Sequence, residues 1–134
     1  MEIEAFLLCD CATDTQGKLN VLGAFDRIFT NHVPFIYPAC TIAARIRFSK
    51  IEEGVHRIKI NVIDADGRQI GPKVENNITV RISEGEDSSV ANLILNIQRM
   101  KLEHYGDYRV DLAIDGRGEA SAPLKVREVP KRPS

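Results

Sequence analysis

A chain of 134 residues, 43% hydrophobic and 28% charged, fits one globular domain whose core is large enough to need no disulfide or metal staple. Eighteen basic residues against nineteen acidic ones leave a formal net charge of −1, which excludes a global pull toward nucleic acid or an anionic membrane. No run approaches the roughly 20 apolar residues of a membrane span, and the acidic opening Met1-Glu2-Ile3-Glu4 is unlike the basic start of a signal peptide.

Alternation with period two runs through most of the sequence and predicts strands. Ile3, Ala5, Leu7, Cys9 and Cys11 share one face of the first segment. Phe6 and Leu8 lie on the other, so this strand is expected to be covered on both sides over Ala5 to Cys9. Thr13 to Lys18 reads as a hairpin turn with Gly17 near its end, and the chain returns through Leu19, Val21, Phe25, Ile28 and Phe29. Gly23 inside that return marks a bulge or bend. Thr30 to Ala39, with Pro34 and Pro38, reads as an ordered surface loop.

From Thr41 to Ser49, Ile42, Ala44, Ile46 and Phe48 alternate with Arg45 and Arg47; after the Glu52-Glu53-Gly54 turn, His56, Ile58, Ile60 and Val62 alternate with Arg57 and Lys59. An Asp66-Gly67 turn follows, and the next strand is expected from about Val74, with Ile78, Val80 and Ile82 on one face and Arg81 on the other. Val90 to Gln98 satisfies both helical and strand spacing; Asn92 and Asn96 are poor interior helix residues, which favours a strand. Tyr108 to Ile114 and Ala120 to Val126 form a last hairpin around Asp115-Gly116. The domain is assigned to residues 1–128, and residues 129–134, with two prolines, to a flexible tail.

This pattern predicts an all-β, single-domain, two-sheet antiparallel sandwich of about eight strands, of Greek-key or jelly-roll type or else immunoglobulin-like. Cys9-Asp10-Cys11, with Cys40 and a histidine, has the residue types of a zinc site but lacks a second paired knuckle, so the cysteines are read as core. Three cysteines without an export signal point to reduced thiols and a cytoplasmic location. Asp64-Ala65-Asp66-Gly67 opens like a calcium loop, yet Arg68 and Gln69 stand where a ligand and a glycine are needed. No residue is assigned a catalytic, cofactor-binding or metal role, and no cofactor is expected.

Two surface features remain. Phe29, His32, Phe35, Ile36 and Tyr37 form a candidate partner-contact loop, or else plug the end of the sandwich. Arg45, Arg47, Arg57, Lys59 and Arg81 form a candidate basic face if their strands are neighbours. Such a face suits an anion or a phosphate backbone, although the absence of interleaved aromatics makes nucleic acid the lesser candidate.

Glu4-Ala5-Phe6-Leu7-Leu8-Cys9-Asp10-Cys11-Ala12, Gly17 to Asp26, Asn92-Leu93-Ile94-Leu95-Asn96 and Gly106-Asp107-Tyr108 together resemble a family of small bacterial proteins known only as a domain of unknown function. The resemblance implies a cytoplasmic β protein and supplies no activity or site residues. The reading that follows is a non-enzymatic binding or assembly module, with a protein partner or self-association and no membrane. The alternative is a small-ligand protein or enzyme with a site at the sandwich mouth, lined by His56, His104 or acidic groups.

Overall fold

The computed structural model describes residues 1–130. It contains nine strands: β1 (Glu2–Thr15), β2 (Lys18–Phe25), β3 (Arg27–Thr30), β4 (Phe35–Ser49), β5 (Gly54–Ile63), β6 (Gln69–Val80), β7 (Ser88–Leu102), β8 (Gly106–Ile114) and β9 (Arg117–Glu128), with a single 3-10 turn at Lys50–Glu52. They form a four-stranded sheet in the order β2-β1-β4-β7 and a five-stranded sheet in the order β3-β9-β8-β5-β6. The all-β sandwich is therefore observed. No helix of the described residues is long and apolar enough to cross a membrane.

The extra strand arises because the return from the first hairpin divides at Asp26. Phe25 stays in the first sheet, while Ile28 enters the second and pairs in parallel with Val126. That parallel pair also makes the second sheet mixed, not purely antiparallel. Phe35 to Tyr37 belong to β4, so the expected loop is shorter than proline placement suggested. Pro38 fits because it lies opposite Arg99, whose φ of 56° interrupts the β4–β7 ladder. The interruption turns both strands over: Cys40, Ile42 and Ile97 face the core on one side of it, and Phe35, Met100 and Leu102 on the other. Val90 to Gln98 is strand within the longer β7. β6 begins at Gln69 and absorbs Gly71-Pro72.

The core lies between the sheets, where Leu8, Ile42, Ile46, Phe48, Ile58 and Leu112 are fully buried. A bulge between Ile3 and Ala5 reverses the faces of β1, so Ile3, Phe6 and Leu8 point inward while Ala5, Leu7, Cys9 and Cys11 point outward. The cysteines thus do not continue the core face from Ile3. Cys9 is nevertheless buried, as are Ala43 and Thr41 beside it on the outer face, whereas Cys11 is exposed.

The β1–β2 hairpin explains that burial. Its tip, a two-residue turn with Gln16 and Gly17 both at positive φ, lies back against the outer face of β4 and β7. There Arg45 Nη1 donates to Gly17 O, and Asn92 Nδ2 donates to Asp14 Oδ2 and Gly17 O. Doubly apolar β1 is covered by its own hairpin. At the other terminus, Val129 N–H donates to Thr30 O, so the tail is tied at its first residue; residues 131–134 lie outside the described residues.

Candidate functional site

The five basic candidates do not share a face. Arg45 and Arg47 stand on β4 in one sheet, Arg57 and Lys59 on β5 in the other, and Arg81 just beyond β6. Neighbouring strands were the condition for a cationic face; the strand order breaks it for Arg45 and Arg47 on β4, while β5 and β6 are neighbours. Arg45 and Arg47 instead converge on Glu4, at 3.0 and 2.8 Å, and hold that carboxyl below its usual range, chiefly through the Arg47 bond. Arg45 also donates to Asn92 Oδ1 and Arg47 to Ser88 Oγ. These guanidiniums clamp β1, β4, β7 and the hairpin together, with their donors directed at protein acceptors. Lys59 lies 3.7 Å from Glu75 on the second sheet.

The aromatic candidates divide as well. Phe35 and Tyr37 pack on the core, Phe25 and Tyr37 have ring centroids 5.8 Å apart, and exposed His32 sits edge-on to Phe35. Phe29 and Ile36 are exposed. Packing over the sandwich end accounts for the first pair.

His56 is held on three sides. Its ring stacks on Phe48 at 4.9 Å, Nδ1 lies 2.6 Å from Asp115 Oδ2, and Nε2 meets Glu52 O. Two acceptors facing the two ring nitrogens favour the imidazolium, and the Glu52 carbonyl first and Asp115 second raise its pKa. With both nitrogens committed, the pair resembles a catalytic His–Asp dyad only in composition; its work is to lock β5 to the β8–β9 turn.

His104 lines a different cleft of about 140 Å³ with Asp64, Asp66, Asp107 and Tyr108. Most of these groups are already engaged. Asp64 Oδ1 accepts from the N–H groups of Asp66 and Arg68, Asp107 pairs with Arg127 at 2.7 Å, and Tyr108 donates to His104 O. The Asp64–Gly67 segment is a hairpin turn, closed by Gly67 N–H to Asp64 O. No group of three potential metal ligands occurs among the described residues. Burial raises the Cys9 thiol and pushes Cys40 up to about 11, so both are protonated and poor nucleophiles at neutral pH.

The remaining feature is the edge of β7. Four strands end the two sheets, and three are blunted. β3 has only four residues; β6 carries Gly71 at a φ of 69°, Pro72, Lys73 and Glu75; β2 bends at Gly23, also at 69°. β7 has 15 residues, and from Ser88 to Gln98 it contains no charge, proline or glycine. Lys50 N–H donates to Asp87 O in continuation of the β4–β7 register. By the alternation of antiparallel ladders, Ala91, Leu93, Leu95 and Ile97 then bond toward β4. Val90, Asn92, Ile94 and Asn96 turn their N–H and C=O groups to the open side.

Beside that edge, Ile60, Val62, Ile70, Val74, Ile97 and Met100 line a cleft of about 110 Å³ between the sheets. Its volume falls below the roughly 300–1,000 Å³ of small-molecule pockets. Its scale is that of a single side chain.

A family model matches residues 4–127 and carries the description "Family of unknown function (DUF6941)". The chain belongs to this family. No curated protein matches the sequence. The match spans β1 to β9 almost completely and assigns no activity, so the site rests on geometry alone.

Sequence reading missed the β7 edge because edge position follows from strand order. The available signal was the uncharged run Ser88–Gln98, which reads equally well as a buried central strand.

Proposed function

We propose that this protein is a non-enzymatic binding or assembly module that accepts an extended polypeptide strand along β7. One observation carries this reading: β7 is the single long sheet edge among the described residues without charge, proline or glycine over eleven consecutive positions, Ser88 to Gln98. Unpaired edge groups of this kind add a strand through main-chain hydrogen bonds, with alternate side chains giving specificity. Half-buried Leu95 and Ile97 offer apolar contacts on the inner face of such a strand, and Val90 and Ile94 on the outer face. Three free thiols, two of them buried and protonated, support a reducing, cytoplasmic setting.

The test is a synthetic peptide copying residues 88–98, with terminal lysines for solubility, titrated against the intact protein by fluorescence anisotropy. N-methylation at the peptide's Val90, Asn92, Ile94 and Asn96 is expected to abolish binding, because these residues direct their N–H groups to β7. N-methylation at Ala91, Leu93 and Leu95 is expected to preserve it. Equal binding of the two methylated peptides, or no binding of the parent peptide at millimolar peptide and a protein concentration dilute enough for light scattering to show monomer, refutes the reading.

A further inference from the structure

Resting on that strand-accepting reading, we infer that the strand received by β7 is β7 of a second copy of this chain, antiparallel, about a two-fold axis at Leu93. The charge layout of the strand supplies the argument. Glu84, Glu86 and Asp87 precede the uncharged run; Arg99 and Lys101 follow it, Lys101 paired with Glu103 at 3.6 Å, so the element is acidic at its entry and carries the free cation Arg99 at its exit. Among the described residues, Glu84, Glu86, Asp87 and Arg99 are in no ion pair. Antiparallel self-pairing sets the acidic entry of each copy against the basic exit of the other. Parallel pairing would set like charge on like.

The register follows from the run itself. Ser88–Gln98 overlaps fully with its own copy only when Leu93 faces the partner's Leu93. Val90 then faces the partner's Asn96, Asn92 faces the partner's Ile94, and Arg99 meets the partner's Asp87 at both ends. The phase is consistent with the open hydrogen-bonding groups: all the edge-facing even positions meet edge-facing even positions, as an antiparallel ladder requires. On the inner face, Leu93 meets its twin and Ala91 meets the partner's Leu95, which joins the two cores. The four-stranded sheet becomes one sheet of eight, and the exposed edge disappears from both copies.

Full-length protein in a Cys11→Ser background tests this by light scattering across concentration and by non-reducing electrophoresis. A dimer is expected. The double variant Val90→Cys/Asn96→Cys should cross-link under mild oxidation, since opposed residues in a bonded pair have Cα atoms about 5.5 Å apart. Each single variant should not. Arg99→Glu should weaken dimerisation about tenfold through two like-charge pairs, and Asp87→Lys should do the same. The combination of the two should restore it. A strict monomer overturns the second-copy inference alone, since the peptide titration separately decides whether β7 accepts a strand. A dimer that neither cross-links nor responds to charge reversal overturns the inference together with the assignment of the contact to β7.

Discussion

Replacing Asn92 with alanine tests how the hairpin is held over the outer face of the first sheet. The wild-type amide donates to Asp14 and Gly17 and accepts from Arg45, and no other side chain joins β7 to the hairpin tip through so many bonds among the described residues. These bonds are partly solvated, so each contributes toward the low end of about 0.5–1.5 kcal/mol, for a total of about 2 kcal/mol. That energy acts on local opening of the hairpin, because the ladders of β4 with β1 and β7 do not depend on it. Cys9 reports the opening: it is fully buried beneath the hairpin, while Cys40 lies in the core. In a Cys11→Ser background, labelling of Cys9 by an aromatic disulfide reagent should accelerate roughly 30-fold in Asn92→Ala, since about 1.4 kcal/mol is tenfold. Cys40 labelling, which requires global opening, should change far less. An unchanged Cys9 rate, or Cys9 and Cys40 accelerating together, would show that the hairpin is not an independently opening cover.

Gln16 occupies a left-handed position, φ 53°, in a two-residue hairpin turn before Gly17. Gln16→Asn should therefore raise stability by about 0.5 kcal/mol in urea denaturation, and a loss would contradict the turn assignment. His56 has a raised folded pKa relative to 6.5, so its two acceptor bonds stabilise the fold fully below about pH 6.5. The contribution fades as pH rises through the folded value. The stability of wild type relative to His56→Gln should accordingly shrink between pH 6 and 9, and a gap independent of pH would refute the imidazolium. Phe48 is fully buried and carries the His56 stack, so Phe48→Ala should cost about 3–5 kcal/mol by thermal or urea melting. A loss below about 1 kcal/mol would mean that this site collapses without a cavity.

Much of the fold was legible because a buried face imposes its period on the chain. Ile42-Ala44-Ile46-Phe48, Ile58-Ile60-Val62 and Val110-Leu112-Ile114 alternate in sequence and are inward in the structure. What escaped the sequence were places where the backbone changes phase. The bulge between Ile3 and Ala5 moves Cys9 from the expected core face to the outer one, and Arg99 in the left-handed region lets Phe35 to Tyr37 be strand despite Pro38. Neither leaves a signature, since bulged residues need no special chemistry and Arg99 lacks the usual glycine or asparagine cue. The candidate site was illegible for a different reason. Arg45 and Arg57 look alike on alternating strands, yet one sheet holds the first and the other sheet the second, and only the strand order separates them.

The short parallel pairing of β3 with β9 has a consequence for biogenesis. Arg27 to Thr30 find their ladder in Lys125 to Glu128, at the far end of the domain. On a ribosome, the second sheet cannot seat its early edge until nearly the whole domain has been made, and the first sheet awaits β7 in the same way. Nascent chains therefore leave β3 unpaired and one edge of β4 open for most of their synthesis, at the stage when chaperone protection matters most. The closing step of folding is a long-range one in which the last strand captures one of the first.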